Sequence, residues 1–159
     1  DLMILFSRSF VTQVLHGLST AWLNVSDRRK LDGFQAHCLR VILRIEPSFI
    51  SRTSNQSVLQ RAGATKLSLL LLRQQLVFFG KVARSPDNDV LRRLTFCAGS
   101  LDLVASRFIR RVGRPRNEWA SCLLKLALQI TGSMESLERA VQKPSEWRAM
   151  VWRVCALPC

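Results

Sequence analysis

The sequence has no tyrosine and only two histidines, His16 and His37, among its 159 residues. Neither histidine stands in a motif that would activate a serine or cysteine nucleophile, so a hydrolase triad is not indicated. Adjacent aspartates are also missing, and Asp87 and Asp89 flank Asn88 in a stretch typical of a solvated turn. Because nucleotidyl transfer needs paired carboxylates to hold its metal ions, the chain itself predicts no polymerase or nuclease centre and no other enzyme activity.

Long apolar runs are missing as well. No stretch approaches the ~18 continuous apolar residues of a membrane-spanning helix, and the most apolar window, residues 67–79, contains Arg73 and two glutamines. We therefore expect no membrane partner. The chain opens with Asp1 rather than Met and has no basic leader, so we expect no signal peptide and interpret the chain as a fragment or processed piece.

Acidic residues are scarce relative to basic ones. Lys and Arg number 24 against 11 Asp and Glu, which gives a net charge of +13 and a sequence pI of about 11.2. Such a charge on a small domain indicates a polyanionic partner, either nucleic acid or an anionic membrane surface, and we favour nucleic acid over a merely solubilising surface. The hydrophobic content of 48 % favours a folded chain, and its length suffices for one domain or two small helical subdomains.

The five cysteines are odd in number and irregular in spacing. Cys38 and Cys122 lie in apolar helical patterns, where a free thiol packs as a small hydrophobic group, and we expect reduced thiols in an intracellular protein. Cys155 and Cys159 are spaced C-x3-C, but no histidine follows to complete a zinc finger. We favour two thiols in a tail over a truncated zinc knuckle, and we expect no metal or cofactor.

Apolar residues recur at helical spacing along the chain, with no internal repeat and no coherent strand pattern. The sequence therefore predicts a mainly α protein, an irregular multi-helix bundle. Ser54 or Asn55, Asp89 and Asn117 are placed to cap helices, whereas residues 18–23 suggest an extended segment. The predicted helices cover residues 2–15, 26–45, 56–62, 67–83, 90–96, 118–130 and 134–142, with a last one from Pro144.

The clearest helical pattern runs from Ser26, interpreted as its N-cap, to a stop imposed by Pro47. Asp32 is interpreted as balancing the basic residues nearby. One face is predicted to be apolar and buried: Leu31, Phe34, Cys38, Val41, Ile42 and Ile45. Another is predicted to be basic and exposed: Arg29, His37, Arg40 and Arg44. We therefore expect truncation of Phe34 to destabilise the fold and truncation of Arg40 to cost little stability.

The same stretch carries a family resemblance. The matching residues are Leu31, Phe34, Gln35, Cys38, Leu39, Arg40, Ile42, Leu43 and Ile45. They resemble a pattern found just after the polymerase core of non-LTR (LINE-type) retrotransposon reverse transcriptases. Three further segments are similar to the family in the same order: Gly17 to Trp22, Arg73 to Arg84 and Gly113 to Trp119. The chain departs from the family pattern at His16, His37 and Lys81.

The resemblance implies a thumb and connector region that serves a polymerase core located upstream. It implies four regions: the end of a thumb-like helix in 1–24, a basic helical connector in 25–96, a basic linker in 97–116 and a C-terminal helical region in 117–159. Its expected partners are template RNA, primer or target DNA and the polymerase core itself. The parent polypeptide would be an RNA-directed DNA polymerase, acting inside the cell and in the nucleus.

The candidate nucleic-acid contacts are arginines on the basic helix face and in the predicted linker. They are Arg29, Arg40, Arg44, Arg107, Arg110, Arg111, Arg114 and Arg116. The triplet Gly113-Arg114-Pro115 fits either a minor-groove contact or a proline near a helix start. The four tryptophans could stack on bases, although core packing is the favoured interpretation. The alternative function is a helical protein–protein interaction domain that docks through broad apolar faces.

Overall fold

The computed structural model describes residues 10–104 and 118–154, and these residues are mainly helical, as predicted. Their α-helices are α1 Val11–Leu15, α2 Val25–Ile42, α3 Ser48–Ser51, α4 Asn55–Ala62, α5 Leu67–Arg84, α6 Val90–Thr95, α7 Trp119–Thr131, α8 Met134–Gln142 and α9 Pro144–Val154. The extended segment expected at 18–23 instead begins with a 3₁₀ turn, Leu18–Thr20. No helix in the described ranges is long and apolar enough to cross a membrane.

Capping side chains explain where several helices begin. Ser54 caps α4 and Asp89 caps α6 through side-chain oxygens that accept backbone N–H groups, as predicted. The N-cap of α2 is Asn24, whose Oδ1 accepts the N–H of Asp27 at 2.9 Å, so the assignment to Ser26 was wrong. Asn and Ser are equally good caps, and the choice depends on which residue takes the extended backbone conformation.

The chain divides into two compact units, residues 1–72 and 73–159, with the boundary inside α5. This boundary differs from the divisions at 24, 96 and 116 that accompany the family resemblance, because the two units follow contacts between segments of the folded chain. Residues 97–104, assigned to a linker, fold back so that the N–H of Cys97 donates to the carbonyl of Asp102 at 2.8 Å. Leu101 in this turn is buried.

The first unit has two apolar clusters. Leu39 of α2 and Val58 and Leu59 of α4 form one cluster, so these two helices pack against each other. Leu15, Leu67 and Leu71 form the other, which joins α1 to the start of α5. Partly buried Val11 packs against both clusters and links them.

Two polar residues of α2 cap the start of α5. Gln35 is buried; its Oε1 accepts the N–H of Leu67 at 2.9 Å and its Nε2 donates to the carbonyl of Thr65 at 2.7 Å. Asp32 accepts the N–H and the hydroxyl of Ser68 at 2.9 and 2.7 Å. Asp32 therefore satisfies orphan donors of another helix, which replaces its sequence-based interpretation as a local charge balance.

The second unit is built around Trp147 and Phe79. The Trp147 indole is buried and donates from Nε1 to the carbonyl of Leu76 at 2.9 Å. It lies so close to Gly80 that a Cβ at that position would overlap the ring. Phe79 packs edge-on against Phe96, with ring centroids 5.5 Å apart. The remaining buried apolar residues of the unit include Leu123, Ala127, Leu137, Val141 and Val151.

A buried arginine fastens the end of α5 to the turn at 97–104. The guanidinium of Arg92 donates to the carbonyls of Ala83 and Ser100 and pairs with the carboxylate of Asp87, whose Oδ1 lies 2.7 Å from Nε. The hydrogen bonds from Arg92 and from the backbone of Gly99 hold the pKa of Asp87 below its usual value. Asp87 is therefore not only a turn residue, because its carboxylate also holds the guanidinium of Arg92 in place.

Candidate nucleic-acid interface

The eight arginines predicted to contact phosphates fall into three groups. Arg29 and Arg44 are exposed, in agreement with their predicted place on an accessible basic face. Arg40 is buried. The others lie outside the described residues: Arg107, Arg110, Arg111, Arg114 and Arg116. The Gly113-Arg114-Pro115 triplet, Asn117 and the Cys155–Cys159 pair also lie outside them; the N-cap of α7 is Glu118.

Arg40 binds the chain itself. Only 6 % of its surface is exposed, and its Nη2 donates to the carbonyl of Thr53 at 2.6 Å and to Oδ1 of Asn55 at 3.1 Å. Its Nη1 makes a longer contact, 3.4 Å, with the carbonyl of Glu46. The loop after α2 therefore surrounds the guanidinium of Arg40. The N–H groups of this guanidinium donate to carbonyls of the loop and are not available for phosphate oxygens. Our prediction that Arg40 lies on an exposed face was wrong.

The predicted faces of α2 are partly wrong. Four of the predicted apolar residues do pack against the two clusters of the first unit: Leu31, Cys38, Ile42 and Ile45. The buried residues are Gln35, Ala36, Leu39 and Arg40. Phe34 is 47 % exposed and Val41 is 67 % exposed, although both were assigned to the core. The apolar residues of this helix are spread over a wide arc, so periodicity alone could not tell which part of that arc meets α4. The buried polar residues of α2 form hydrogen bonds with carbonyl and N–H groups of the neighbouring loops, and this accounts for their burial.

The accessible side of α2 is both basic and apolar. It consists of Arg29, Lys30, Phe34, His37, Val41 and, just beyond the helix, Arg44; we call it the outer face of α2. The face ends in a shallow pocket of about 300 Å³. The pocket is lined by His37, Arg40, Val41, Arg44, Ile45, Glu46 and Pro47. Such a surface can bind a phosphate backbone through its cations while its apolar residues cover sugar or base edges.

Arg44 occupies an unusual backbone position. The helix ends at Ile42, well before Pro47, and the N–H of Ile45 donates to the carbonyl of Arg40 at 2.9 Å. The N–H of Arg44 donates to the carbonyl of Val41 at 3.3 Å, which completes a Schellman motif with Arg44 in the left-handed region at φ 54°. Glycine normally fills this position, and an arginine here carries no local signal that the helix ends.

The second unit carries a basic surface that the predicted site residues did not include. It is formed by the part of α5 within this unit, which contains Arg73, Lys81 and Arg84, and by the side of α9 that carries Arg148. Glu146 is the single acidic residue on these two segments, and its Oε1 lies 2.8 Å from Nζ of Lys143. The excess of arginine over acid in these helices was the sequence signal for this surface.

The tryptophans differ in their availability for stacking. Trp147 is buried, and Trp119 packs against Phe78 and Phe79 with ring centroids 5.7 and 6.3 Å apart, as expected for core residues. Trp22 lies against Arg28, whose guanidinium carbon is 4.2 Å from the ring centroid. Trp152 is 57 % exposed. Among the described residues it is the most accessible aromatic surface of the second unit.

No metal centre is formed in the part of the chain that the structure describes, where no three His, Cys, Asp or Glu side chains are grouped to hold an ion. Cys38, Cys97 and Cys122 are free thiols. Comparison of the chain with protein-family models, with curated proteins and with solved structures gave no match.

Proposed function

We propose that this chain is a non-catalytic, helical nucleic-acid-binding region that follows the polymerase core of a non-LTR retrotransposon reverse transcriptase. Its role is to position template RNA, primer DNA or their hybrid for an active site carried by that core. On this proposal the chain acts inside the cell, in the nucleus, with the polymerase core and nucleic acid as its partners. The resemblance of residues 31–45 and of the three other segments supports the family assignment.

The observation that carries the nucleic-acid assignment is the unneutralised positive charge on the described surfaces. Several acidic residues are engaged within the fold: Asp32 and Asp89 cap helices, while Asp87 pairs with Arg92. Arg29 and Arg44 are exposed and have no ion pair among the described residues. Cations that the fold leaves without carboxylates favour binding of phosphates.

The mechanism follows from the chemistry of these contacts. Guanidinium groups bind phosphate oxygens through charge-assisted hydrogen bonds and release counterions, without regard to base identity. The outer face of α2 would therefore fix the position of a strand rather than select its sequence. Positioning of this kind suits a region that presents a primer end to a separate active site.

A salt titration tests this proposal. Affinity for two unrelated DNA duplexes and an RNA–DNA hybrid is measured from low to moderate salt for the full chain and for a double variant, Arg29→Gln with Arg44→Gln. Each lost phosphate contact lowers the slope of log affinity against log salt by about 0.9 for duplex DNA, so the double variant should flatten it by about 1.8 units. The loss should be equal for both duplexes.

The matched control is Arg52→Gln with Arg61→Gln, which removes the same charge from two exposed arginines outside the outer face of α2. Its slope should change much less. Equal slopes for the two double variants would mean that only total charge matters and that the outer face is not an interface. A wild-type affinity that is insensitive to salt would overturn the nucleic-acid assignment itself.

A protein–protein interaction domain is the second candidate, and exposed apolar residues favour it. Phe49 is 82 % exposed and Ile50 is 58 % exposed on α3, and Val41 is exposed on α2. Docking through such residues would strengthen, or stay level, as salt rises, whereas phosphate binding weakens. Phe49→Ala would then reduce capture of the polymerase core without changing the salt slope for nucleic acid.

A further inference from the structure

The exposed ring of Trp152 stands beside a row of arginines. The guanidinium carbon of Arg73 lies 4.4 Å from the Trp152 ring centroid, so this cation covers one face of the indole. More than half of the Trp152 surface is accessible nevertheless. Cation–π packing holds the ring in one orientation, which lowers the entropy lost when a second planar group stacks on it.

Positive charge is concentrated next to this ring. Arg148 lies four residues before Trp152 on α9, so both side chains project from the same side of the helix. Trp147, the residue before Arg148, donates to the carbonyl of Leu76, so this turn of α9 lies against α5, which carries Arg84. Burial and the charge of Arg148 lower the pKa of Arg84. Arg84 also donates to the carbonyl of Val141 at 2.8 Å, which fixes one side of its guanidinium.

The two helices that carry these cations supply no carboxylate partner for them. The part of α5 in this unit contains no Asp or Glu. Glu146 is two residues from Arg148, roughly 200° around the helix, and it is held by Lys143. Lys81, a further cation on this part of α5, is exposed. The Arg84–Arg148 pair therefore lacks a carboxylate partner on either helix that carries it, and an anion placed there would reduce the repulsion between the two cations.

We propose that Trp152, Arg148 and Arg84 form a binding site for single-stranded nucleic acid, in which an unstacked base stacks on the accessible surface of the Trp152 ring and a neighbouring phosphate meets Arg148 and Arg84. We call it the Trp152 platform. The Trp152 platform rests on the proposed function and adds to it a preference for single strands over duplex, which phosphate contacts alone do not give. A base within a duplex is already stacked on its neighbours, so the ring can serve only a single strand.

The experiment compares oligo(dT), oligo(U) and a DNA duplex as probes of the full chain. Trp152→Ala should weaken binding of both single strands by roughly 5- to 150-fold, the equivalent of about 1–3 kcal/mol per stacked base, and leave duplex affinity nearly unchanged. Trp152→Phe should recover much of the loss, because a smaller ring still offers a face for stacking. The salt slope should stay the same in both variants, since neither removes a charge.

The phosphate part of the site is tested with Arg148→Gln and its control, Arg153→Gln. Both remove one exposed cation from α9, but Arg153 lies roughly 140° around the helix from Arg148. Arg148→Gln should flatten the single-strand salt slope by about 0.7 units and Arg153→Gln by clearly less. A thermal melt of each variant separates loss of binding from loss of fold.

The outcomes separate this site from the proposed function. Single-strand affinity that is unchanged in Trp152→Ala, while the wild-type chain binds duplex in a salt-dependent way, would overturn the Trp152 platform alone. Equal losses for single strands and duplex in Trp152→Ala would overturn it as well, because they indicate general damage. A wild-type chain that binds neither kind of probe would overturn both proposals.

Discussion

Arg40→Ala should be among the most damaging substitutions in the first unit, although sequence periodicity predicted the opposite. The side chain is buried and makes two good hydrogen bonds, to the carbonyl of Thr53 and to Asn55, at 2.6 and 3.1 Å. Hydrogen bonds that involve a charged group contribute about 1.5–3 kcal/mol each, so the loss should be about 3–6 kcal/mol. The 3.4 Å contact with Glu46 is near the geometric limit and adds little.

Phe34→Ala provides the comparison. Truncation of a fully buried phenylalanine costs about 3–5 kcal/mol, but Phe34 is 47 % exposed and packs against Phe10 with ring centroids 5.7 Å apart. About half of that loss, roughly 2 kcal/mol, is therefore expected. Arg40→Lys keeps the charge but cannot reach both acceptors with a planar fork, so its stability should fall between that of wild type and Arg40→Ala.

The assay is amide hydrogen exchange of α2 and α4 under increasing urea. Exchange reports the opening free energy of these helices alone, which matters because two compact units need not unfold together. Arg44→Ala is the control, since it removes the same charge from an exposed position near the end of the same helix. A greater loss for Phe34→Ala than for Arg40→Ala, or an Arg40→Ala variant as stable as wild type, would refute the inward role of Arg40.

Other predictions concern the backbone, the packing and the charges. Arg44→Gly should stabilise the first unit by about 0.5–1 kcal/mol in urea unfolding, because glycine adopts the left-handed conformation without strain. The same variant should weaken nucleic-acid binding, and a lower stability than wild type would contradict the Schellman motif. Gly80→Ala should lower stability by about 1–3 kcal/mol through overlap with Trp147, and a thermal melt at least as high as that of wild type would contradict that packing. Asp87→Asn should destabilise the second unit above about pH 4. The stability difference between wild type and variant should shrink as pH falls below the ordinary carboxyl pKa of 3.8, because a depressed pKa contributes stability that is lost on protonation. A stability difference independent of pH would contradict the pairing with Arg92. Changing the linker arginines Arg110, Arg111, Arg114 and Arg116 to Ala should flatten the duplex salt slope by about 3–4 units with little change in melting temperature. An unchanged slope would mean that these four arginines only form a solvated surface.

Local sequence signals predicted the helices well where the deciding interactions are themselves local. Ser54 and Asp89 cap their helices because a side-chain oxygen needs to reach only two or three residues along the chain. Gly63 and Gly132 adopt positive φ where α4 and α7 end, since only glycine does so without strain. Val58, Trp147 and other residues of well-separated apolar stripes are buried as predicted.

The candidate site was harder to predict, because it depends on which side of α2 meets the rest of its unit. Composition indicated a folded and strongly basic chain, and the spacing of apolar residues predicted that it is mainly helical, since neither requires knowledge of tertiary contacts. Whether a given arginine faces solvent depended on acceptors distant in sequence, such as the carbonyl of Thr53, thirteen residues beyond Arg40. The stacking of Arg73 on Trp152 joins residues from opposite ends of the second unit. Side chains that are distant in sequence meet only when the chain folds. The periodicity of one helix therefore does not predict which residue of another helix its side chains contact.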